Sequence, residues 1–537
     1  MIKNKSHTIF RLVCCLCLAV VFFNSCKQKT SKETDSSEKQ PNIVFILADD
    51  LGAYDLSFAG SKYYETPNID AIAKEGVVFT EGYAACQVCS PSRASILTGQ
   101  FTARHGVTDW IGAATGEAWA KNHNTKVLPP EYEHAIPNNY TTLSEALKSK
   151  GYKTFFAGKW HLGDEPNNPE NNGFDINKGG WEVGTPKGGY FAPWTNPKLE
   201  ANHDGENLSA RLANETASFI SDYKDEPFFA FLSFYAVHGP IETTEEKWEK
   251  YRDKADKQNI QESGFEMERI LPIRTVQDNP IYAGLVESMD DAVGIVLNRL
   301  KELKLDKNTI IVFTSDNGGV ASGDAFSTSN HPLRGGKGYQ WEGGIKEPYI
   351  IKAPTINNTP NIIDYPVSGI DFYPTLLDIA GVEIPQNQII DGVSLVPLLK
   401  GESLDDRSLF WHYPHYGNQG GEPVSIIRKN DWKLIHYWED KHSELYNLTE
   451  DLGETNKVND ANKDIIEKLE TELFVFLEET NAKIPTQNPN YNEEKALQLY
   501  NSRKTNMLSR LEQQRKDFLD KDFDPKNNWY DSKLTKD

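Results

Sequence analysis

Four apolar runs in this chain each break off at a group able to do chemistry. Asn42 to Ala48 runs into Asp49-Asp50, Lys153 to Ala157 into Lys159-Trp160-His161, Phe228 to Phe234 into His238, and Thr309 to Thr314 into Asp316-Asn317. Continuous apolar runs of this length read as parallel strands buried on both faces. Helical patterns lie between them. Asn68 can cap a helix over Ile69 to Glu75 that stops at Gly76, Thr142 to Glu145 is a capping box opening a helix that ends at Gly151, and a long helix runs around Tyr282 to Leu303. A shorter strand follows near Tyr349 to Ile351, and no internal repeat is visible. The alternation predicts an α/β fold, a large mostly parallel sheet sandwiched by helices. In such sheets ligands bind outside the carboxyl ends of the strands. Acids, a base and an amine are therefore delivered to one edge.

Beyond about Gly401 the alternation stops. Arg428 to His436 and Ser443 to Leu448 read as short strands of a meander, followed by a helix over Lys463 to Glu479. From Ile484 the text is polar, with a charged helical pattern from Asn492 to about Phe518 that predicts a solvated tail helix. For 537 residues this gives a very large domain at 41–400, a smaller one at 401–483 and a tail at 484–537. A formal charge of -21 argues against a nucleic-acid partner, and an anionic substrate would need a local basic cluster held against that field.

The first residues read as an export signal. Lys3, Lys5 and Arg11 form a basic start without acids, and Leu12 to Phe23 is an apolar run too short for a membrane span. The run ends at Phe23-Asn24-Ser25-Cys26, similar to a bacterial lipobox except that Phe23 stands where an aliphatic residue is usual. A plain secretory signal cut nearby is the alternative. The favoured expectation is a signal at 1–25, a lipid on Cys26 and a polar tether at 26–40, which would anchor an exported chain to the cell envelope. Cys14, Cys15 and Cys17 leave with the signal, so only Cys86 and Cys89 remain and no disulfide framework exists. Their Cys-x-x-Cys spacing allows a redox pair.

Cys89-Ser90-Pro91-Ser92-Arg93 is read locally as the mouth of a helix. Ser90 is placed as N-cap, Pro91 at the first helical position and Gly99 as a left-handed C-cap. A cysteine there sits by the positive end of the helix dipole, with Arg93 a turn away as a bidentate donor. The pentapeptide alone fits either a nucleophile beside an anion site or a free cysteine at an ordinary helix start.

Cys89-x-Pro91-Ser92-Arg93 followed by Ala94-x-x-x-Thr98-Gly99 resembles the signature of the type I sulfatases, within the alkaline phosphatase superfamily. Gln100 departs from the arginine or lysine frequent there. The resemblance covers most of residues 41–480. It implies an alkaline phosphatase-like sheet with a smaller antiparallel C-terminal subdomain packed against a helix, including the Glu444-Leu445-Tyr446-Asn447-Leu448 stretch. It implies that Cys89 is oxidised to formylglycine (3-oxoalanine) by a formylglycine-generating enzyme or an anaerobic maturase. It places Asp49, Asp50, Asp316 and Asn317, with the modified Cys89, around one metal ion. The oxygen-only donors suit calcium before magnesium. Lys159 and His161, His238 in His-x-Pro, and Lys337 in a glycine-rich loop complete the set. In the implied mechanism one hydroxyl of the aldehyde hydrate attacks sulfur. The metal with Lys159, Lys337 and Arg93 neutralises the sulfuryl oxygens, and His238 protonates the leaving alcohol. His161 then takes a proton from the second hydroxyl to release sulfate.

The expected reaction is hydrolysis of sulfate esters on saccharides from a sulfated polysaccharide, by analogy an algal glycan such as ulvan or carrageenan. Trp110, Trp194, His203, His331, Arg334, Trp341, His412 and His415 are candidates for a sugar subsite. Rival readings are a phosphonate monoester hydrolase or phosphodiesterase of the same superfamily, and a glycan-binding lipoprotein without catalysis. The two-zinc, histidine-ligated phosphatases fit poorly because the acid pairs offer no histidine ligand. A binder would need no general acid.

Overall fold

Along the strand Asn42–Ala48 (β1), Ile43, Phe45 and Leu47 enter one hydrophobic cluster, and Val44, Ile46 and Ala48 enter another on the opposite face. That is the period of two expected of a strand, with both faces apolar because both are covered. The computed structural model describes residues 40–258, 263–356, 361–386 and 388–523. The expected signal, Cys26, the tether to residue 39 and the last residues of the tail lie outside them.

Seven further strands join β1: Val77–Phe79 (β2), Lys153–Gly158 (β3), Ile176–Lys178 (β4), Phe228–Ser233 (β5), Thr309–Ser315 (β6), Tyr349–Lys352 (β7) and Ile362–Ile363 (β8). Their order is β8-β2-β7-β6-β1-β5-β3-β4. The central strands β6, β1, β5 and β3 are parallel, and β7 runs against both its neighbours. In register Ala48 pairs with Ser315, Leu47 with Ser233, and Gly158 with Ser233, so the carboxyl ends of the four are level. The helices Pro67–Glu75, Leu208–Asp222 and Pro280–Glu302 pack on one face, and Cys89–Thr98, Leu143–Ser149 and Phe372–Ala380 on the other.

Two helix starts differ from the sequence expectation. Pro67 opens the first helix, and Asn68 is not its cap. The Asn68 side chain donates to Asp290 Oδ2 at 2.8 Å on the long helix, a tertiary partner that local spacing does not reveal. The other begins at Cys89 itself, after an uncapped Val88, because the Ser90 hydroxyl is used elsewhere. Gly99 does end that helix in the left-handed region, at φ 69°. The expected capping box at Thr142 and Glu145 is present.

The second sheet is an antiparallel meander of Ser408–Tyr413, Val424–Lys429, Trp432–Tyr437 and His442–Asn447. The stretch 428–436 is a hairpin turned at Asn430, where φ is 53°. Helix Lys463–Glu479 covers the sheet with Leu469, Leu473, Phe476 and Leu477. The tail is not simply solvated. In its helix Leu508–Leu519, Leu511, Arg515 and Phe518 are buried at spacings of four and three, the stripe of an amphipathic helix. Arg515 Nε donates to the buried Asp278, and Phe518 O accepts from Trp248 Nε1 at 3.0 Å. Among the described residues no helix is long and apolar enough to cross a membrane.

Burial pushes His105 down to about 3 and His412 down to about 4. Both are neutral in the folded chain and take up a proton on unfolding. Below the unfolded value of about 6.5 the unfolded chain therefore binds more protons, and stability is lost as the pH falls, by up to about 1.4 kcal/mol per unit for each group. Thermal melts from pH 7 to 4.5 should show this fall, and a His105→Asn/His412→Gln double variant should show a flatter one. Identical slopes would remove the two histidines from the account.

Candidate active site

The four level strand ends carry the polar groups. Asp49 and Asp50 follow β1, and a left-handed Asp50 (φ 65°) turns two consecutive carboxylates toward the same place instead of opposite faces. Asp316 and Asn317 follow β6. Oxygens of Asp49, Asp50 and Asp316 lie within 4.8 Å of one another, all fully buried. Burial drives the Asp49 carboxyl well up, and Asp316 and Asp50 push the same way against Lys159 and Arg93. Asp50 is also buried, but Lys337 and His238 hold it well below the ordinary carboxylate range.

Three cations face these three acids. Lys159 Nζ donates to both Asp49 oxygens at 2.9 and 2.7 Å, and Lys337 Nζ to Asp50 Oδ2 at 2.9 Å. Arg93 Nε donates to Asp316 Oδ2 at 2.8 Å, and its Nη1 to Ser233 Oγ and the Lys159 carbonyl at 2.6 and 2.9 Å. Asn317 Nδ2 donates to Asp50 Oδ1 at 2.9 Å, while the buried Asn317 Oδ1 has no hydrogen-bond partner. Crowded carboxylates, an orphaned amide oxygen and donors that are all oxygen fit a hard divalent cation.

Cys89 is the first residue of its helix. Ser90 Oγ donates to His161 O at 2.9 Å and accepts from Ile111 N at 3.1 Å, which fixes the helix start against two loops. His161, left-handed at φ 55°, directs Nδ1 to within 3.4 Å of Cys89 Sγ. Its Nε2 lies 3.2 Å from Ile111 O, which only a protonated nitrogen can satisfy. Nδ1 is then the unprotonated nitrogen, and burial followed by Lys159 and Arg93 keeps the ring neutral. His238 Nδ1 donates to Gly239 O at 2.6 Å, and its Nε2 sits 3.7 Å from Asp50 Oδ2. Burial and then Lys337 push His238 down to about 4.

Asp49, Asp50, Arg93, Lys159, His238, Asp316, Asn317 and Lys337 thus share one network of hydrogen bonds and ion pairs, and the Cys89–His161 pair stands beside it, within the electrostatic reach of Lys159. Four of the eight sugar-subsite candidates are held in contacts of their own. Trp341 is buried beneath the Arg334 guanidinium at 3.6 Å, and Arg334 itself pairs with Glu268 at 2.9 Å. His412 bonds Ser425 Oγ and Lys483 O at 2.8 and 3.0 Å, and His415 bonds Thr108 Oγ1 at 2.9 Å, both buried. These four are structural, a correction to the sequence expectation. His203 is exposed with Nδ1 on Asp204 O, His331 is exposed, and Trp110 and Trp194 are half-buried. Sequence reasoning missed Ser90 as a strut, Ser233 as the hydroxyl under Arg93, and Trp181, whose carbonyl accepts from His161 N at 3.2 Å. Ser233 ends its strand level with the acids, which was the one signal available. Cys86 is buried and free, packed on Val88 and Tyr413, and burial pushes its thiol up.

A family model described as Sulfatase matches residues 41–382, and one described as N-sulphoglucosamine sulphohydrolase, C-terminal, matches 336–480. The chain belongs to the sulfatase family. A sulfatase of Formosa agariphila is 33% identical over 530 residues, covering 84% of this chain and 91% of its own. Human steryl-sulfatase is 30% identical, covering 70% of this chain and 72% of its own. The crystal structure of Ps i-CgsB superposes with a TM-score of 0.67 at 26% identity, covering 88% of this sulfatase and 98% of that chain, and it has also been solved with k-i-k-neocarrahexaose. The large mixed sheet with a small antiparallel sheet is the architecture of these relatives, and the chain is a sulfuric ester hydrolase.

Cation binding to this sulfatase should be visible without turnover. Calcium added to chelator-treated protein should raise the melting temperature by roughly 2–5 °C. Asp50→Asn should lose most of that rise. A larger rise with zinc than with calcium would contradict the oxygen-donor reading.

Proposed function

We propose that this sulfatase removes sulfate from saccharides derived from a sulfated polysaccharide, using formylglycine made from Cys89 and one calcium ion. The observation that carries the reading is Cys89 Sγ, buried at a helix start 3.4 Å from an unprotonated His161 nitrogen and beside the charge-balanced acids. Asp49, Asp50, Asp316 and Asn317 would hold the cation, which supplies positive charge for the sulfuryl oxygens and for the nucleophile. Formylglycine supplies, as its hydrate, the hydroxyl that attacks sulfur.

The chain's own residues then divide the work. Lys159 and Lys337 are bound to carboxylates that the cation would take over, which releases their ammonium groups toward an arriving sulfate. Arg93 holds Asp316, Ser233 and a carbonyl through Nε and Nη1, while its buried Nη2, which has no hydrogen-bond partner, is left to meet a sulfuryl oxygen. His161 Nδ1 accepts a proton from the residue 89 side chain, and Ile111 O keeps that nitrogen available by holding the opposite one protonated. His238 gives a proton to the leaving alcohol, and the arriving anion raises its proton affinity above that of the empty site.

The relative crystallised with k-i-k-neocarrahexaose supports a saccharide substrate, with carrageenan or ulvan fragments the glycans to try first. A maturation enzyme acting on Cys89 is the implied partner. Export with a lipid on Cys26 would place the enzyme at the cell envelope, where polysaccharide fragments arrive. The domain limits at residues 400 and 483 complete the reading.

Mass spectrometry of the tryptic peptide 75–93 from active, natively produced enzyme should find formylglycine at position 89 and a thiol at Cys86. Intact thiol at both would refute the nucleophile. His238→Ala should lower turnover of unactivated sugar sulfates by about 100-fold or more, and that of an aryl sulfate with a good leaving group by less than about 10-fold. Equal losses would remove His238 from the acid role. Faster hydrolysis of a phosphonate ester or phosphodiester than of every sulfate would favour the rival branch.

A further inference from the structure

A strained loop ahead of the glycine-rich turn of Lys337 belongs to neither the acid cluster nor the histidine pair. Gly323, Asp324 and Phe326 have φ of 59°, 34° and 49°. Side chains rarely adopt such angles, and the strain persists only where the surroundings over-determine it. They do so here. Arg274 Nε donates to Phe326 O at 2.7 Å, and Ser322 Oγ to Pro272 O at 2.6 Å. The Phe326 ring packs with Phe265 and with Leu511 of the tail helix. Asp278 binds Arg274 with one oxygen and Arg515 of the tail with the other. From the second sheet's side, Gln419 Nε2 donates to Asp324 Oδ2 at 2.7 Å.

All this support fixes one carboxylate. Asp324 Oδ2 lies 3.9 Å from Lys337 Nζ, and its side chain is 24% exposed where Asp49 and Asp50 are at most 1% exposed. Its charge also acts on His238, the group assigned to the leaving alcohol. An acid there is wrong for sulfate itself, since it repels the anion. It is right for the hydroxyls of a sugar, because a carboxylate only accepts and a sugar ring offers neighbouring donors.

We propose that Asp324 is a specificity residue: it accepts hydrogen bonds from hydroxyls of the ring that bears the scissile sulfate, and it disfavours rings with a second sulfate beside the first. The substrate class is thereby narrowed to singly sulfated sugar units with a free hydroxyl on a neighbouring carbon. This rests on the reading of the site as a saccharide sulfatase. A site built to bond a hydroxyl discriminates strongly against a partner that cannot supply it, and partial exposure reduces the expected effect to about 10- to 100-fold.

The test compares kcat/KM of the mature enzyme and its variants on three kinds of ester. They are 4-methylumbelliferyl sulfate, the fastest of a set of monosulfated galactose, N-acetylgalactosamine and N-acetylglucosamine, and that sugar's disulfated counterpart. Asp324→Asn should lose about 10- to 100-fold more on the sugar monosulfate than on the aryl sulfate, mainly through KM. It should also narrow the preference for one sulfate over two. Gln419→Ala should move both ratios the same way, by less. Each ratio is internal to one preparation, so partly misfolded variants remain informative. Equal losses on aryl and sugar sulfates would make Asp324 a prop for Lys337 and overturn the proposal, as would no loss on the sugar. A wild-type enzyme inactive on every sulfate ester would instead overturn the reading of the reaction, and this inference with it.

Discussion

Three buried carboxylates within 4.8 Å of one another cannot share a dry pocket unless positive charge is built in with them. Asp49, Asp50 and Asp316 meet that condition with Lys159, Lys337 and Arg93, one cation for each acid. With all three acids ionised, as Lys159 donating to both Asp49 oxygens implies against the burial that drives that carboxyl up, the site is close to neutral, and a divalent cation seated among the acids would make it carry about two positive charges. That local excess would let a chain of net charge -21 attract an anion. The account of substrate binding therefore depends on this balance more than on any single catalytic group.

The fold supplies the balance through register. Because β6, β1, β5 and β3 end level, acids and amine emerge at one height, and Ser233 at the end of β5 joins Arg93 to the carbonyl of Lys159. The left-handed Asp50 and His161 mark where the backbone is bent to aim side chains inward. The second sheet contributes from outside. Lys433, fully buried, bonds Glu342 Oε1 at 3.0 Å and lies 2.8 Å from Glu454 Oε1, tying the meander to the segment just after Lys337. The tail helix acts similarly through Arg515 and Leu511.

Much of this was legible in the sequence because each core residue of the site stands at the end of an apolar run or inside a long motif. The sheet class followed from runs such as Asn42 to Ala48, whose lack of alternation already meant two covered faces. What was not legible depended on tertiary contact. Asn68 caps nothing because Asp290, distant in sequence, accepts from the N–H groups of Asn68 and Ile69 at the helix start. Ser90 forgoes capping because His161 O is within reach. Trp341, His412 and His415 have the composition of a sugar subsite, but burial decides their use, and composition carries no burial. Asp324 gave no signal, being an unremarkable acid in a glycine- and serine-rich stretch until strain and Lys337 place it.

The central claim is that the site becomes an anion site only when a divalent cation joins the six charges. Calorimetric titration of inorganic sulfate into the mature protein, once with calcium and once after chelation, tests this most directly. The account predicts binding that saturates at one sulfate per chain with calcium and falls at least about 10-fold in affinity without it. Equal affinity in the two conditions would mean that the lysines and arginine already make the site cationic, and would contradict the charge balance on which the account rests.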